Sequence, residues 1–123
     1  MTGSTDNAPG GRENDPASDR HNGPAPGRRN GAAVLEAVAV MDRLRSPGGC
    51  PWDAEQTHAS LAPYAVEEAH ELVEAAESGN RAALREELGD VLLQVLFHSR
   101  IAAEDPDGFD IDDVAREIGR AHV

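Results

Sequence analysis

The sequence lacks several features on which common classes of protein depend. It contains a single cysteine, Cys50, so an internal disulfide is impossible and a cysteine-rich zinc site is excluded. No apolar run approaches the length that spans a membrane, and the first residues carry no apolar signal-peptide core. We therefore expect a protein of the reducing cytoplasm that has no membrane partner.

Lysine is also absent, and all 11 basic residues are arginines. Against 23 acidic residues they leave a formal net charge of −12. Residues 1–30 carry equal numbers of acids and arginines, so the whole excess lies in residues 31–123. This charge argues against a nucleic-acid duplex or an anionic membrane as a partner, because both require basic patches. A nucleotide stays possible, since bound cations can invert the local field.

The two ends of the chain differ in composition. Residues 1–30 are rich in Gly, Pro, Asn, Asp and Ser and have almost no large apolar side chain. Such a segment cannot bury enough surface to offset the entropy of ordering it. We predict a disordered tail over residues 1–30 and a folded domain over residues 31–123.

The predicted domain is all-α, a small antiparallel bundle of about four helices. Apolar side chains recur at helical spacing, and no strand pattern is present. The loop after the first helix contains Trp52, which is more typical of a plug at the end of a helical core than of a ligand contact. The predicted helices cover residues 32–45, 60–78 and 81–104, and a fourth is capped by Asp110.

The third predicted helix bears on the oligomeric state. Residues 91–97 read Val-Leu-Leu-Gln-Val-Leu-Phe, which is apolar nearly all round the helix. Three short partner helices cannot cover so many apolar sides. We therefore expect a second copy to cover the rest, as a homodimer.

A short break separates the second and third helices. It reads Ser78-Gly79-Asn80, in which glycine suits the end of one helix and asparagine caps the start of the next. A connection this short makes the two helices antiparallel neighbours.

Four acidic residues flank this break at matched distances. Glu68 and Glu71 share one face of the second helix, and Glu87 and Asp90 share one face of the third. Both facing pairs, 71 with 87 and 68 with 90, are centred on Gly79, so the four carboxylates meet if both faces point inward. Grouped carboxylates repel one another unless a cation lies among them, and oxygen ligands favour Mg²⁺ or Mn²⁺.

A plainer interpretation stays open, because acidic runs on helices are commonly solvated faces. Asp90, however, precedes the apolar run of residues 91–97, where an unpaired acid is costly. Iron is disfavoured because neither Glu71 nor Glu87 is followed three residues later by the histidine of a Glu-x-x-His pair; those positions are Glu74 and Asp90. Three histidines of the predicted folded domain form no zinc pattern and are expected at the surface or in packing: His58, His70 and His98.

Clustered carboxylates with divalent cations suit phosphoryl chemistry. The ions neutralise phosphate charge and lower the pKa of an attacking water. A carboxylate that does not bind the metal can orient that water as a general base. Glu67 is our candidate for this catalytic role. Glu67 and Glu86 both adjoin the ligands but point about 100° away, so support of the ligands or a plain surface position stays open.

These residues form a pattern that resembles a known family. Glu67-Glu68-x-x-Glu71, followed after 15 residues by Glu87-x-x-Asp90, is similar to the signature of the all-α nucleoside triphosphate pyrophosphohydrolases. Further segments resemble the MazG branch of that family, and the resemblance covers about residues 34–120. These segments are residues 41–53, 55–58, 63–64 and 86–95.

The resemblance implies hydrolysis of nucleoside triphosphates to a nucleoside monophosphate and pyrophosphate, in the removal of aberrant nucleotides. It also implies a Mg²⁺ requirement, a helical bundle and a dimeric or larger assembly. Carried over by position, it implies four metal ligands, Glu68, Glu71, Glu87 and Asp90, and substrate-binding residues at Tyr64, Arg85 and Glu86.

The sequence departs from the family pattern in two places. Ala54 stands where relatives often carry lysine, and the chain ends where relatives continue into a basic segment that contacts the triphosphate. Only Arg120 and His122 resemble that segment. We therefore expect a complete metal site in a C-terminally short domain of reduced activity. The alternative is a non-catalytic or weakly active helical dimer, an interaction module derived from the same fold.

Overall fold

A computed structural model of the chain describes residues 30–122. The predicted tail lies outside the described residues except for Asn30. Those residues form five helices and no strand, which confirms the predicted all-α class. In chain order the helices are α1 (Ala32–Arg45), α2 (Pro51–Glu55), α3 (His58–Ser78), α4 (Arg81–Ala102) and α5 (Ile111–His122).

The chain divides into two units, residues 1–36 and residues 37–123. The core and the candidate site both lie in the second unit. A domain boundary at residue 30 stays a prediction. No helix in the described range is long and apolar enough to cross a membrane.

The hairpin of α3 and α4 is formed by the residues that predicted it. Gly79 follows α3 in the left-handed conformation, with φ of 78°, which glycine adopts without the steric cost of a Cβ. Asn80 caps α4, because its side-chain oxygen accepts a hydrogen bond from the Ala83 backbone nitrogen at 3.1 Å. The two helices are therefore antiparallel neighbours.

The start of α3 differs from the prediction. The cap is Thr57 rather than Ser60, and Ser60 completes a capping box. The Thr57 hydroxyl accepts from the Ser60 nitrogen at 3.0 Å, and the Ser60 hydroxyl accepts from the Thr57 nitrogen at 2.8 Å. Since the helix begins earlier, Pro63 lies inside α3 instead of in its first turn.

The five-residue helix α2 lies where the sequence analysis expected only a loop. Cys50 precedes it in an extended conformation, and Pro51 occupies its first position, where a missing N–H costs nothing. A segment this short has too few apolar positions to show a helical period.

The C-terminal helices end and begin near the expected residues. α4 ends at Ala102, two residues earlier than predicted. Asp110 caps α5 as expected, because its carboxylate accepts from the Asp113 nitrogen at 3.0 Å. In return, the Asp110 nitrogen donates a hydrogen bond to the Asp113 carboxylate, also at 3.0 Å.

The core joins α1, α3 and α4. Met41, Leu61 and Phe97 are buried together, and Ile101 packs against them. Other apolar side chains of α4 remain between 38% and 49% exposed in the single chain: Leu88, Leu92, Leu93 and Val95. Leu92, Leu93 and Val95 belong to the run of residues 91–97 from which a second copy was expected, and dimerisation stays a prediction.

Candidate metal centre

The α3–α4 hairpin brings four carboxylates together. Glu68 and Glu71 from α3 and Glu87 and Asp90 from α4 each offer an oxygen, and these oxygens lie within 4.8 Å of one another. All four therefore occupy the arrangement that the spacing around Gly79 predicted. A group of this size and composition could hold a metal ion.

Two carboxylate oxygens of the cluster are buried without a partner. Glu68 Oε1 and Glu87 Oε1 are shielded from solvent and accept no hydrogen bond from any described residue. An acceptor in that position costs free energy unless a donor or a cation reaches it. The cluster is therefore a poor fit to a plain solvated acidic face.

The electrostatics of the cluster agree with its geometry. Burial raises the pKa of Glu68, and the negative charges of Asp90, Glu71 and Glu67 raise it further. Burial likewise raises the pKa of Glu87, followed by the charges of Glu71 and Asp90. The strongest charge effect on each thus comes from the residue that faces it across the hairpin.

The donor set selects the kind of cation. Carboxylate oxygens are hard ligands, which suit Mg²⁺, Mn²⁺ or Ca²⁺ rather than metals that favour thiolate or imidazole. Among the described residues, no histidine or cysteine joins this cluster. The buried unpartnered oxygens and the oxygen-only set together fit a hard divalent cation.

The two acids that adjoin the ligands border the cluster from outside. Glu67 is exposed and lies four residues before Glu71, and Glu86 is exposed and lies four residues before Asp90. Neither belongs to the group of converging oxygens. Both positions allow contact with a water or a substrate beside the cluster.

Tyr64 lies on the same side of α3 as the ligands. It stands one turn before Glu68 and two turns before Glu71, so the three side chains follow one another along one face. The Tyr64 ring is 43% exposed and contacts Trp52, with ring centroids 6.2 Å apart. The structure therefore places both aromatic residues at one end of the acidic face.

Arg85 is not part of the same face. It lies two residues before Glu87 on α4, which turns its side chain roughly 160° away around the helix. Within residues 30–122 it forms no ion pair. It shares a side of α4 with Leu88 and Leu92, which are 49% and 39% exposed. Arg85 thus borders the apolar face of α4 rather than the carboxylates of its own chain.

The sequence analysis missed one polar group beside the cluster. Gln94 Oε1 is buried and finds no hydrogen-bond partner among the described residues. Gln94 lies one turn after Asp90 and borders, with Glu68, an apolar pocket of about 400 Å³ that also contacts Leu72 and Val91. The spacing of four residues from Asp90 was the available signal. This pocket therefore places apolar side chains on one side of the cluster.

The structure also brings together two histidines that are 40 residues apart. His58 at the start of α3 stacks on His98 of α4, and their Nδ1 atoms lie 2.7 Å apart. Burial lowers the pKa of His98, and the charge of His58 lowers it further. They are a packing pair, as the sequence analysis expected of histidines here, although it did not foresee their contact.

One protein family matches the part of the chain that contains the α3–α4 hairpin. The family described as the MazG nucleotide pyrophosphohydrolase domain matches residues 56–120, which contain α3, α4 and the whole carboxylate cluster.

Individual relatives match the same part of the chain. A nucleoside triphosphate pyrophosphohydrolase/pyrophosphatase MazG of Thermotoga maritima is 54% identical over 83 residues, which are 68% of this chain and 32% of the relative. A nucleoside triphosphate pyrophosphohydrolase of Mycolicibacterium smegmatis is 58% identical over 88 residues, 71% of this chain and 26% of the relative. An uncharacterized 26.1 kDa protein of Streptomyces cacaoi, from the blaB 3′ region, is 60% identical over 85 residues, 68% of this chain and 34% of the relative. The chain therefore spans about a third or less of the length of these curated relatives.

Proposed function

The chain belongs to the MazG nucleotide pyrophosphohydrolase family, and we propose that it hydrolyses nucleoside triphosphates to a nucleoside monophosphate and pyrophosphate, using Mg²⁺. The observation that carries the proposal is the carboxylate cluster, whose four ligand oxygens converge within 4.8 Å. Glu68 and Glu87 each have a buried carboxylate oxygen that receives no hydrogen bond from any described residue.

Glu68, Glu71, Glu87 and Asp90 hold the divalent cation in this proposal. When bound, the ion supplies positive charge for the phosphate oxygens and lowers the pKa of a coordinated water. Mg²⁺ is the expected ion, and Mn²⁺ is an acceptable substitute for the same oxygen ligands. The bound cation would also attract the substrate to this strongly acidic chain, because the four carboxylates alone would repel a triphosphate.

Glu67 is the proposed general base. It borders Glu71 from outside the ligand group and is exposed, so it can accept a proton from a water held beside the cluster. Glu86 borders Asp90 in the same way on α4 and is proposed to contact the substrate. Tyr64, one turn before Glu68, is the proposed contact at the other end of the acidic face.

Arg85 is proposed to contact the phosphates of the other protomer in a homodimer. Its position on the far side of α4 from Glu87 does not support a contact within its own chain. It adjoins Leu88 and Leu92, which are the exposed apolar side chains that a second copy is expected to cover. An arginine at that edge can present its guanidinium fork to a neighbouring phosphate.

A cytoplasmic location belongs to the same proposal, because nucleoside triphosphates are cytoplasmic metabolites. The alternative of a non-catalytic helical module is not favoured, since the relatives named for an activity are named as pyrophosphohydrolases.

The test is pyrophosphate release from a panel of nucleoside triphosphates by the full chain with Mg²⁺. The Glu71→Gln variant keeps the side-chain size and loses a ligand charge, and we expect its rate to fall by more than about 100-fold. Glu77→Gln is the matched control, because Glu77 is an exposed acid of α3 outside the cluster. Equal rates for the wild type and Glu71→Gln would refute the proposal.

A further inference from the structure

Trp52 is the only tryptophan of the chain, and it is half exposed. Its side chain is 50% accessible to solvent on the short helix α2. The sequence analysis expected it to plug the end of a core. A large indole that is this exposed can contact a ligand or another molecule.

The segment that carries Trp52 is firmly held. Arg45 Nη1 donates to the backbone oxygens of Asp53 and Gln56 at 2.7 and 3.0 Å. Gln56 Nε2 donates to the Trp52 oxygen at 2.9 Å. The preceding turn is closely packed, because a Cβ on Gly49 would lie 2.2 Å from the Arg43 backbone oxygen. The backbone therefore presents Trp52 in one place rather than on a loose loop.

Trp52 and Tyr64 form a corner of two aromatic walls. Their ring planes meet at 79° with centroids 6.2 Å apart, an edge-to-face contact. Each ring remains 43% exposed or more. A flat ring can therefore stack on one wall while its edge contacts the other.

The corner adjoins the carboxylate cluster along α3. Tyr64 lies four residues before Glu68, about 6 Å along the axis and on the same face. Trp52 contacts the Tyr64 ring. In a nucleotide the ribose separates the base from the phosphates, so a base subsite has to lie beside the phosphate site, as this corner does.

We propose that Trp52, together with Tyr64, binds the base of the nucleotide whose phosphates lie at the carboxylate cluster. The inference rests on the proposed function and adds its base subsite. An uncharged aromatic ring is the ligand that suits this corner in a chain of net charge −12. Every base offers a face for stacking, so the subsite gives affinity for many bases rather than selection of one.

Tryptophan fluorescence tests this contact directly, because all indole emission of the full chain comes from Trp52. With Mg²⁺ present, α,β-methylene adenosine triphosphate, which resists cleavage at its bridging carbon, is expected to quench the emission in a saturable manner. Ribose 5-triphosphate, which has the phosphates without a base, is expected to leave it nearly constant. The same titration of N-acetyltryptophanamide corrects for light absorbed by the base.

Kinetics supply a second readout. Loss of one stacked base corresponds to about a tenfold change in binding, so Trp52→Ala is expected to raise KM for adenosine triphosphate about tenfold. The ratio of KM for ribose 5-triphosphate to KM for adenosine triphosphate falls by a similar factor. Trp52→Phe keeps an aromatic face and recovers most of the loss. Leu35→Ala, which removes a 70% exposed apolar side chain elsewhere, is the control.

The outcomes separate this inference from the proposed function. If the wild type releases no pyrophosphate from any nucleotide, the proposed function fails. If it releases pyrophosphate but nucleotide leaves Trp52 emission unchanged and Trp52→Ala keeps the wild-type KM ratio, only the base subsite is wrong. The base would then lie elsewhere, as in the apolar pocket beside Gln94.

Discussion

Glu68 on α3 and Glu87 on α4 belong to the same carboxylate cluster, and each holds one carboxylate oxygen buried without a hydrogen-bond donor. Burial and neighbouring negative charge raise the pKa of both carboxyls. A folded chain without a cation therefore carries unfavourable charge in this half-buried cluster. A divalent cation removes that cost, which links stability, pH and metal binding in the same four residues.

The raised pKa values predict how stability without metal depends on pH. A carboxyl whose pKa is raised by folding contributes stability fully below its ordinary value of 4.5, and this contribution is lost as pH rises through the raised value. In EDTA, the wild type is therefore expected to lose more stability than Glu87→Gln between pH 4.5 and neutrality. Urea denaturation midpoints measure the difference. Parallel pH profiles for the two proteins would contradict it.

Added Mg²⁺ should reverse that trend, because metal binding requires deprotonated carboxylates. At neutral pH we expect Mg²⁺ to raise the melting temperature of the wild type and to raise that of Glu87→Gln much less. Glu77→Gln, an acid outside the cluster, should respond like the wild type. An equal response in all three proteins would show that the ion binds elsewhere.

The role proposed for Glu67 predicts a separation of catalysis from metal binding. Loss of a general base lowers kcat by about 100-fold or more. Glu67→Gln should therefore lose activity while Mg²⁺ still raises its melting temperature as in the wild type. Activity assays and thermal melts on the same sample check both parts. A wild-type kcat would exclude the role, and a lost melting response would make Glu67 a metal ligand instead.

The position of Arg85 predicts complementation between two inactive variants. If Arg85 serves the site of the partner protomer, Arg85→Ala mixed with Glu71→Gln forms one intact site in each mixed dimer. Activity should then reappear after the two proteins are unfolded and refolded together. Activity that stays at the level of the separate variants would place Arg85 in its own chain's site or outside the mechanism.

Arg45 is predicted to stabilise the fold by connecting α1 to α2 and to Glu104. Its side chain is only 7% exposed and forms two bonds to the Glu104 carboxylate, at 2.7 and 2.9 Å, besides those to Asp53 and Gln56. Glu104 is 40% exposed, so solvent screens this pair, and loss of the Arg45 bonds together is expected to cost about 2 kcal/mol. Arg45→Ala should lower the free energy of unfolding by that amount in urea denaturation.

Arg43→Ala is the matched control for Arg45→Ala. Arg43 lies on the same helix and, in the part of the chain that the structure describes, forms no ion pair. Its substitution should change stability by less than about 0.5 kcal/mol. Similar losses for both variants would mean that the contacts of Arg45 add nothing to its helix position.

The parts of the fold that the sequence predicted depend on local signals. Gly79 and Asn80 determine where one helix ends and the next begins, because each acts through its own backbone conformation or side chain. The period of 3.6 residues then determines which carboxylates share a face. An antiparallel hairpin centred on Gly79 leaves little freedom in how Glu71 and Glu87 meet. The cluster was predictable for this reason.

The contacts that the sequence did not predict are made between distant elements. The contacts Trp52–Tyr64 and His58–His98 depend on how α2 and the start of α3 pack. The spacing of apolar residues along the sequence does not predict that packing. Arg45 stabilises α2 from the end of α1, so the short helix follows from a tertiary contact rather than from its own five residues. Arg85 shows that a position in a motif does not determine where a side chain points. The resemblance implied a substrate contact for Arg85, but the helix period turns its side chain away from the carboxylates of its own chain.

The most direct test of the account is ³¹P NMR of the products that the full chain forms from adenosine triphosphate, with Mg²⁺ and with EDTA. The account predicts adenosine monophosphate and pyrophosphate in equal amounts with Mg²⁺, and neither with EDTA or with Glu71→Gln. Adenosine diphosphate and orthophosphate would mean cleavage at the wrong phosphate. Unchanged substrate with Mg²⁺ would mean that the carboxylate cluster of this chain does not perform the reaction.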